Sequence, residues 1–578
     1  MQRTHKNLLA SLIAGLFIPL GAQAAEADLI KKIEALTQQL EQLKAQVQAS
    51  QEASKQAVAA VSEVKEKVQR NEDNSTEKWL TIGGDYQFRV DSLSGETKTF
   101  TDVNATFANA QNQLQAAFFA NPTNPATAGA LTGLMGFAQG MNGVRTFAQA
   151  QNFLGNNMAM LGALGNFAAT IPSYKPKNET LYSNRFGLDL NAKVTQDVTL
   201  TTRLAMYKTF GASDDDAVTN GGAAPFFADR VGVFDGTVGH VPSTSFLNVD
   251  RVYASWNNIA DQDIWFSVGR RPSTHAAPTG LKSNGERPGR GGAPALLVDY
   301  AFDGLVLGWG PDIDALPGAY GKICYGRGFE SGFSQPTSNS LKDTDMIGIS
   351  IVPIETDALR LWAQWNRGMN IFDAPTMQNT YFGNTQAKIN LGDIDWFGVG
   401  AMGTIKRVGP GELNWFADVG MSVTHPNNNV SSQFGFQGLL TGAFFNPEAP
   451  NDKTGTAAYL GLRYDLPSKT KLGLEYNHGS KNWITFAPAA YDAWTSKVGT
   501  RGNVYEIYAI QELDSKPIAS RFAKTFFRLG FQYYDFQYTG SNNWVGAPVK
   551  ISDVNGNMMT TTPLSKAYNA YATIEVKF

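Results

Sequence analysis

The sequence has a single cysteine, no strong excess of either charge and no long apolar run after its first residues. Cys324 alone cannot form an internal disulfide, and it leaves no cysteine pair for covalent haem or structural zinc. The 48 basic and 51 acidic residues give a net charge of −3, which is not the basic excess of a nucleic-acid binder. After residue 24 no apolar run approaches the ~20 residues of a membrane-spanning helix. The chain is therefore either exported and soluble or crosses a membrane as a β-barrel.

Signals for catalysis and for bound cofactors are also missing. No Gly-x-Ser-x-Gly elbow is present to organise a serine nucleophile. The acidic run 214–216 lacks the spacing of an EF-hand, so a solvated loop is the simpler interpretation. The histidines after the first 24 residues lie in or beside predicted loops: His240, His275, His425 and His478. We therefore predict no enzyme activity, no cofactor and no metal site.

The first 24 residues have the three parts of a secretory signal peptide. Arg3 and Lys6 precede an apolar stretch over 8–20, and a small-residue cleavage signal ends at Ala24. The apolar stretch is shorter than a spanning helix requires. We predict that residues 1–24 are removed on export.

A coiled-coil register follows the signal peptide. Apolar or small residues recur at alternating steps of four and three from Leu29 to Val68, which predicts a coiled coil rather than one amphipathic helix packed on a domain. Residues 25–78 would form a periplasmic stalk and linker, ending in the polar stretch 70–78. The core residues leave dimer and trimer open, and likeness to other exported barrels with such stalks favours a homotrimer.

From Trp79 onwards the sequence changes to a period of two, which is typical of β-strands. Tyr86, Phe88 and Val90 alternate with polar residues, and the same alternation continues along the chain. Short turns alternate with long polar loops, the first of them at about 92–180. This sorting of connections by length is typical of outer-membrane barrels, whose turns face the periplasm and whose loops face outwards.

The alternation predicts an all-β, antiparallel transmembrane β-barrel over residues 79–578. The strand count must be even, because both ends of the barrel are expected on the periplasmic side. Sixteen strands fit, or eighteen if the first long loop hides a further pair. Residues 294–309 are interpreted as one bulged strand. The predicted strands are 80–92, 181–194, 198–210, 246–256, 263–271, 294–309, 319–327, 344–352, 358–367, 394–405, 412–424, 456–465, 471–479, 501–512, 521–538 and 566–578.

The polar side of each strand is predicted to face the lumen. A charge facing lipid at mid-membrane costs about 2–4 kcal/mol, whereas a wet lumen accepts it at little cost. Sixteen strands enclose enough space for an aqueous channel. The predicted pore-lining residues are Arg89, Asp91, Arg185, Asp189, Lys193, Arg203, Arg360, Arg463, Glu475 and Arg528.

Several segments resemble a family of outer-membrane porins of unknown detailed function in Gram-negative bacteria. They include GGDYQFRVDSL, LYSNRFGLDLNAK, VGRRPST, LPGAYGKICYGRGF and YNHGSKNWITFAPA. The resemblance covers most of residues 80–578. It implies a water-filled channel in the cell outer membrane, in contact with its lipid, through which small hydrophilic solutes diffuse passively.

Residues 272–293 resemble the loop that folds into the lumen of general porins and forms the constriction. A basic constriction would favour anions by Coulomb attraction, whereas a solvated outer loop is the alternative. The candidate constriction residues are Arg270, Arg271, His275, Lys282, Glu286, Arg287 and Arg290.

The last strand carries Ile574, Val576 and Phe578 on its apolar side. A barrel has no free edge, so this strand is predicted to close against the first. A terminal aromatic strand also resembles the signal that the outer-membrane assembly machinery recognises.

Two other functions are compatible with a barrel or an exported sheet. The barrel could sheath a partner such as a multihaem cytochrome for electron transfer across the outer membrane, which would make a redox protein its partner. The chain could instead be an exported all-β adhesin. Nearly uncharged residues 103–174 suit short helices that cap the pore or a protein-contact surface.

Overall fold

The structure is a computed structural model that describes residues 79–209, 247–273, 280–285, 296–333, 340–374, 377–380, 383–487, 492–518 and 523–578. The predicted signal peptide and coiled-coil stalk, and with them the predicted trimer contact, lie outside the described residues.

Sixteen of the described strands form one closed antiparallel barrel, and five short strands form two small sheets outside it. Each strand pairs with its neighbours in the chain, and the last strand pairs with the first. The barrel strands are β1 (Leu80–Thr97), β2 (Lys177–Lys193), β3 (Val198–Thr209), β4 (Leu247–Trp256), β5 (Ile264–Pro272), β6 (Ala301–Trp309), β7 (Tyr320–Phe329), β8 (Thr344–Glu355), β9 (Leu359–Phe372), β10 (Asn390–Val408), β11 (Gly411–Pro426), β12 (Lys453–Asp465), β13 (Thr470–Gly479), β14 (Gly502–Glu512), β15 (Lys524–Phe536) and β16 (Leu564–Lys577).

The predicted all-β barrel of sixteen strands is confirmed, and the alternative of eighteen is wrong. The largest difference in strand bounds lies at β6, which begins at Ala301 and not at residue 294. Leu296 and Leu297 are fully buried, because they leave the wall and pack inside the barrel. Their apolar character therefore reflects interior packing and not a longer strand.

The outer face of the wall is apolar. Alternate residues on each strand are exposed although they are large and hydrophobic, which is the arrangement that lipid requires. The exposed set includes Ile82, Val268, Leu305, Leu307, Ile323, Tyr325, Ile349, Ile351, Phe397, Val399, Val419, Met421, Leu460, Leu462, Leu472, Leu474, Ile507, Phe527, Leu529 and Phe531.

Aromatic residues mark both ends of this apolar band. Exposed Trp79, Trp256 and Trp309 lie at the short-turn end of the wall. Towards the long-loop end, four tyrosines on successive strands lie directly opposite one another. Their ring centroids are 5.2 Å, 6.2 Å and 5.2 Å apart in the order Tyr476, Tyr505, Tyr533 and Tyr568. Such girdles are typical of membrane–water interfaces.

The C-terminal residue completes the closure. Ile574 pairs with Phe88 and Val576 with Tyr86 across β1 and β16. The main chain of Phe578 exchanges two hydrogen bonds of 3.0 Å with Gly84. A Cβ atom at Gly84 would lie 2.7 Å from the Phe578 ring and 2.3 Å from the Gly187 carbonyl oxygen. Only glycine fits at this seam.

We expect Gly84→Val to weaken barrel closure, because its Cβ would press on main-chain atoms of the neighbouring strand. The overpacking cost is about 1–3 kcal/mol. The measurement is the temperature at which the folded, fast-migrating band is lost in a detergent gel. Gly129→Ala is the control, since a Cβ there meets nothing within 4 Å. An unchanged temperature for Gly84→Val would contradict the seam argument.

The long connection after β1 contains four helices: α1 (Val103–Ala120), α2 (Pro125–Asn142), α3 (Phe147–Asn156) and α4 (Met158–Leu164). Side-chain caps begin three of them, at Asp102, Asn124 and Thr146. Phe137 stacks edge-on against Phe445 of the loop after β11. The helices therefore pack on another long loop.

The main hydrophobic core of the described chain lies inside the barrel. Inward Trp396 on β10 is fully buried, and its indole N–H donates to the Ile484 carbonyl at 2.9 Å. Leu297 lies over Gly398 and Gly420, which face each other across β10 and β11 and leave room for it. Long loops thus fold inwards and pack on one side of the lumen.

Candidate functional site

The lumen divides into two parts that differ in how their charges are satisfied. One is the wall of β12 to β16 and β1 to β3, part of which binds an inward segment, residues 280–285. The other is the wall of β5 to β9, where a cavity is lined by cations. Since the interior brings charged residues of distant parts of the described chain together, it is the candidate functional site.

The inward segment crosses the lumen. It belongs to the connection between β5 and β6, yet it contacts strands on the opposite side of the barrel. Arg463 on β12 donates to the carbonyls of Leu281 at 2.8 Å and Gly285 at 3.0 Å. Arg528 on β15 donates to the carbonyl of Lys282. These hydrogen bonds hold the segment by its main-chain carbonyls, so they do not depend on the side chains that the segment carries.

The side chain of Lys282 adds an ionic contact. Its ammonium lies 2.6 Å from Glu506 on β14 and 3.5 Å from Asp492. Glu506 also binds Lys497 at 2.6 Å and accepts a hydrogen bond from Tyr571 at 2.6 Å. The charge of Lys282 is therefore neutralised by the wall.

Lys497 is the buried centre of this network. It also contacts Glu475, a carboxylate that accepts a hydrogen bond from Tyr459 at 2.7 Å. Burial lowers the pKa of the Lys497 ammonium, but Glu475 and Glu506 outweigh it and hold the pKa well above its usual range. Lys497 therefore stays charged and bridges two strands.

The predicted lumen charges on β1 to β3 are also paired. Arg89 binds Asp91 at 2.6 Å and lies 4.5 Å over the Tyr571 ring. Arg203 binds Asp189 at 2.6 Å. Arg203 also contacts Asp85, which binds Arg185 at 3.0 Å. These residues form ion pairs within the lumen wall.

The wall of β5 to β9 is different. Arg271, Tyr320 and Lys322 line two cavities of about 650 Å³ and about 130 Å³. The larger one opens among residues of the short-turn end, including Asp263 and Asp312. We call the two together the cationic cavity.

Arg360 and Cys324 line the smaller part of the cationic cavity. Arg360 donates to the Tyr320 hydroxyl at 2.7 Å and lies 3.6 Å from Glu355. Arg271 stacks on Tyr253, with its guanidinium carbon 4.7 Å from the ring centroid. Cations of three strands thus face one space.

The remaining predicted site residues are placed as follows. Lys193 is exposed at the end of β2. Arg270 lies 3.9 Å from Asp303. Arg271 and Lys282 do not lie together: Arg271 lines the cationic cavity, whereas the inward segment carries Lys282 across the lumen to Glu506. The other constriction candidates, His275, Glu286, Arg287 and Arg290, lie outside the described residues.

Several residues of these sites were not predicted. Lys322 shares the inward side of β7 with Cys324, so the alternation in YGKICYG could have found it. Asp492 and Lys497 lie in a loop, where no periodicity in the sequence indicates which way a side chain faces. Their role follows only from contacts with distant strands.

The described residues hold no group of three His, Cys, Asp or Glu side chains that could bind a metal ion. None of the helices described is both long and apolar enough to cross a membrane.

Comparison with known proteins identifies a family and distant structural neighbours. The family model described as "Protein of unknown function (DUF3373)" matches residues 175–578. No curated protein gives a significant match. OmpT of Vibrio cholerae in its trimer form is 12% identical, with a TM-score of 0.34 over 87% of this chain and 100% of that one. OprB of Pseudomonas putida is 10% identical, with a TM-score of 0.38 over 87% and 95%. Likeness at this level carries no argument about function.

Proposed function

Because the chain belongs to the DUF3373 family of proteins of unknown function, we propose its function from the barrel itself: a porin that passes small hydrophilic solutes by diffusion. The observation that carries this proposal is the closed barrel with an apolar outer face and charged residues inside. An apolar outer face requires lipid, whereas charged residues in the lumen require water or ionic partners. The proposed location is the cell outer membrane.

The proposal includes a preference for anions. On the wall of β12 to β16 the charges pair with one another, so they contribute little net field. Arg271, Lys322 and Arg360 all line the cationic cavity, whose larger part opens at the short-turn end. A narrow, poorly screened passage with such a wall attracts anions.

The structure gives no support to a sheath for another polypeptide. A sheathed cytochrome requires an empty lumen, whereas in the described part of this chain Leu297, Trp396, Trp483 and the inward segment are packed inside the barrel. We also propose that the chain is a channel and not an enzyme. Homotrimer formation through residues 29–68 and recognition of Phe578 by the assembly machinery remain predictions.

We expect the purified, detergent-folded protein to form ion-conducting pores in a planar bilayer. In a potassium chloride gradient the reversal potential should have the sign of chloride preference. Arg271→Gln combined with Lys322→Gln should move it towards zero, because two of the cations of the cavity are lost. Lys469→Gln is the control, since Lys469 is an exposed turn residue paired with Asp514 at 2.5 Å. A correctly folded barrel that inserts and conducts nothing would overturn the proposed function.

A further inference from the structure

Two cations in the cationic cavity have no anionic partner in the described part of the chain. Lys322 lies on the inner side of β7 between β6 and β8, and it makes no ion pair or hydrogen bond with described residues. Arg271 stacks on Tyr253, but its Nε and Nη1 atoms are buried without a hydrogen-bond partner. Among the other described arginines of the lumen wall, Arg89, Arg203 and Arg463 each have a carboxylate partner, so Arg271 and Lys322 differ from them.

In the described part of the chain, the carboxylates near the cavity lie at its margins. Asp263 and Asp312 are exposed at the short-turn mouth. Glu355 lies 3.6 Å from Arg360 and so balances that guanidinium. None of the described residues that line the inner, 130 Å³ part is acidic. The inner cavity therefore holds two positive charges without a counter-charge from the wall.

Such a pair is costly unless an anion accompanies it. Arg271 and Lys322 are partly buried and so lose part of their hydration, and the buried Nε–H and Nη1–H groups of Arg271 add a desolvation cost because they have no acceptor. Guanidinium and ammonium groups are the usual protein donors to phosphate and carboxylate oxygens. The Tyr320 hydroxyl, which accepts from Arg360, extends the polar wall.

We propose that Arg271 and Lys322, with Arg360 and Tyr320, form a binding site for a small oxyanion, such as inorganic phosphate or a small carboxylate. The site lies in the passage between the short-turn mouth and the inner cavity. This inference rests on the proposed porin function, because a binding site in the passage would determine which solutes pass through the pore. The proposal goes beyond the attraction of anions by the net charge of the cavity, because here named side chains bind the anion.

Cys324 is a natural reporter of this site. It is the only cysteine of the chain, it is partly exposed, and it lines the cavity two residues from Lys322 on the same side of β7. The rate at which a charged thiol reagent labels Cys324 depends on the electrostatic potential in the cavity. The wild-type protein can therefore be labelled at one known position.

The experiment compares two methanethiosulfonate reagents on the folded protein in detergent, one carrying a sulfonate and one a trimethylammonium group. Rates are normalised to those of a small free thiol. We expect the sulfonate reagent to be favoured roughly ten-fold, as expected for close charges in a poorly screened site. Inorganic phosphate should slow the labelling of Cys324 more than chloride does at equal ionic strength.

The variants test which groups are responsible. Arg271→Gln combined with Lys322→Gln should bring the normalised ratio close to one and remove protection by phosphate, whereas Lys469→Gln should change neither. A small carboxylate, tested in parallel, shows whether the site discriminates between the two oxyanions. Equal normalised rates, absence of phosphate protection, or failure of both reagents to label the folded protein would each overturn the site.

These outcomes are independent of conduction. Labelling is measured in detergent, so a barrel that binds phosphate but carries no current would refute the porin and keep the site. A barrel that conducts, with Cys324 labelled equally by both reagents, would refute the site and keep the porin.

Discussion

Releasing the inward segment should raise the single-channel conductance several-fold. The variant combines Lys282→Met, Arg463→Met and Arg528→Met, which remove the ionic contact and three hydrogen bonds to the carbonyls of the segment. Hydrogen bonds to charged groups contribute roughly 1.5–3 kcal/mol each. The segment keeps the contacts of Asn284 with Glu512 and Lys471 and the hydrogen bond from Lys577 to the Ser283 carbonyl. We expect these alone not to hold it across the lumen.

The carboxylates left behind keep other partners, so the wall itself should fold. Glu506 retains Lys497 at 2.6 Å. Glu575 accepts from Gln87 at 2.9 Å. Asp465 lies 4.0 Å from Lys471. Methionine also preserves the apolar stem of each replaced side chain.

The measurement is conductance in a planar bilayer, with migration of the folded band in a detergent gel as the check on the barrel. Lys469→Met combined with Arg327→Met is the control, because both residues form ion pairs near the ends of the barrel. An unchanged conductance in a folded triple variant would show that residues 280–285 do not restrict the passage.

The wall was predictable because its signal is local. Alternation along each strand fixes which residues face outwards, and the even count follows from closure. At β10 the same alternation is present, with Phe397 and Val399 exposed and Trp396 buried. Strand number and orientation could therefore be obtained from the order of residues alone.

The interior was not predictable to the same degree, because its contacts join residues far apart in the chain. A polar inner face was expected throughout, yet Trp362, Trp396 and Phe416 face the lumen and are buried. They pack beneath loops that fold inwards, as Leu297 does over Gly398. A periodic pattern gives the side of the wall a residue faces, and it does not show what fills the space beyond.

Arg501 should be essential for this interior packing and dispensable for the wall. Its side chain is 1% exposed and donates to three carbonyls. The acceptors are Trp483 at 2.9 Å, Thr539 at 3.0 Å and Asn543 at 2.7 Å. One guanidinium thus joins the loop after β13 to the loop after β15.

We expect Arg501→Leu to destabilise the packed loops by about 3 kcal/mol or more, because each buried carbonyl left without a donor costs about 1–3 kcal/mol. Limited proteolysis with mass mapping should show new cleavage within residues 480–500 and 537–557. The folded band in the gel should persist, since the three carbonyls to which the side chain of Arg501 donates lie in loops and not in the wall. Arg145→Leu is the control, because Arg145 donates to a single carbonyl, that of Asn142 at 3.2 Å.

Two results would contradict this account in different ways. Unchanged proteolysis of Arg501→Leu would mean that the hydrophobic core inside the barrel holds the loops without the guanidinium. Loss of the folded band would mean that wall and interior unfold as one unit. The wall is closed by main-chain pairing from β1 to β16, whereas the interior depends on side chains such as Arg501 and Trp396. The wall and the packed interior should therefore differ in stability, and the Arg501→Leu variant measures that difference.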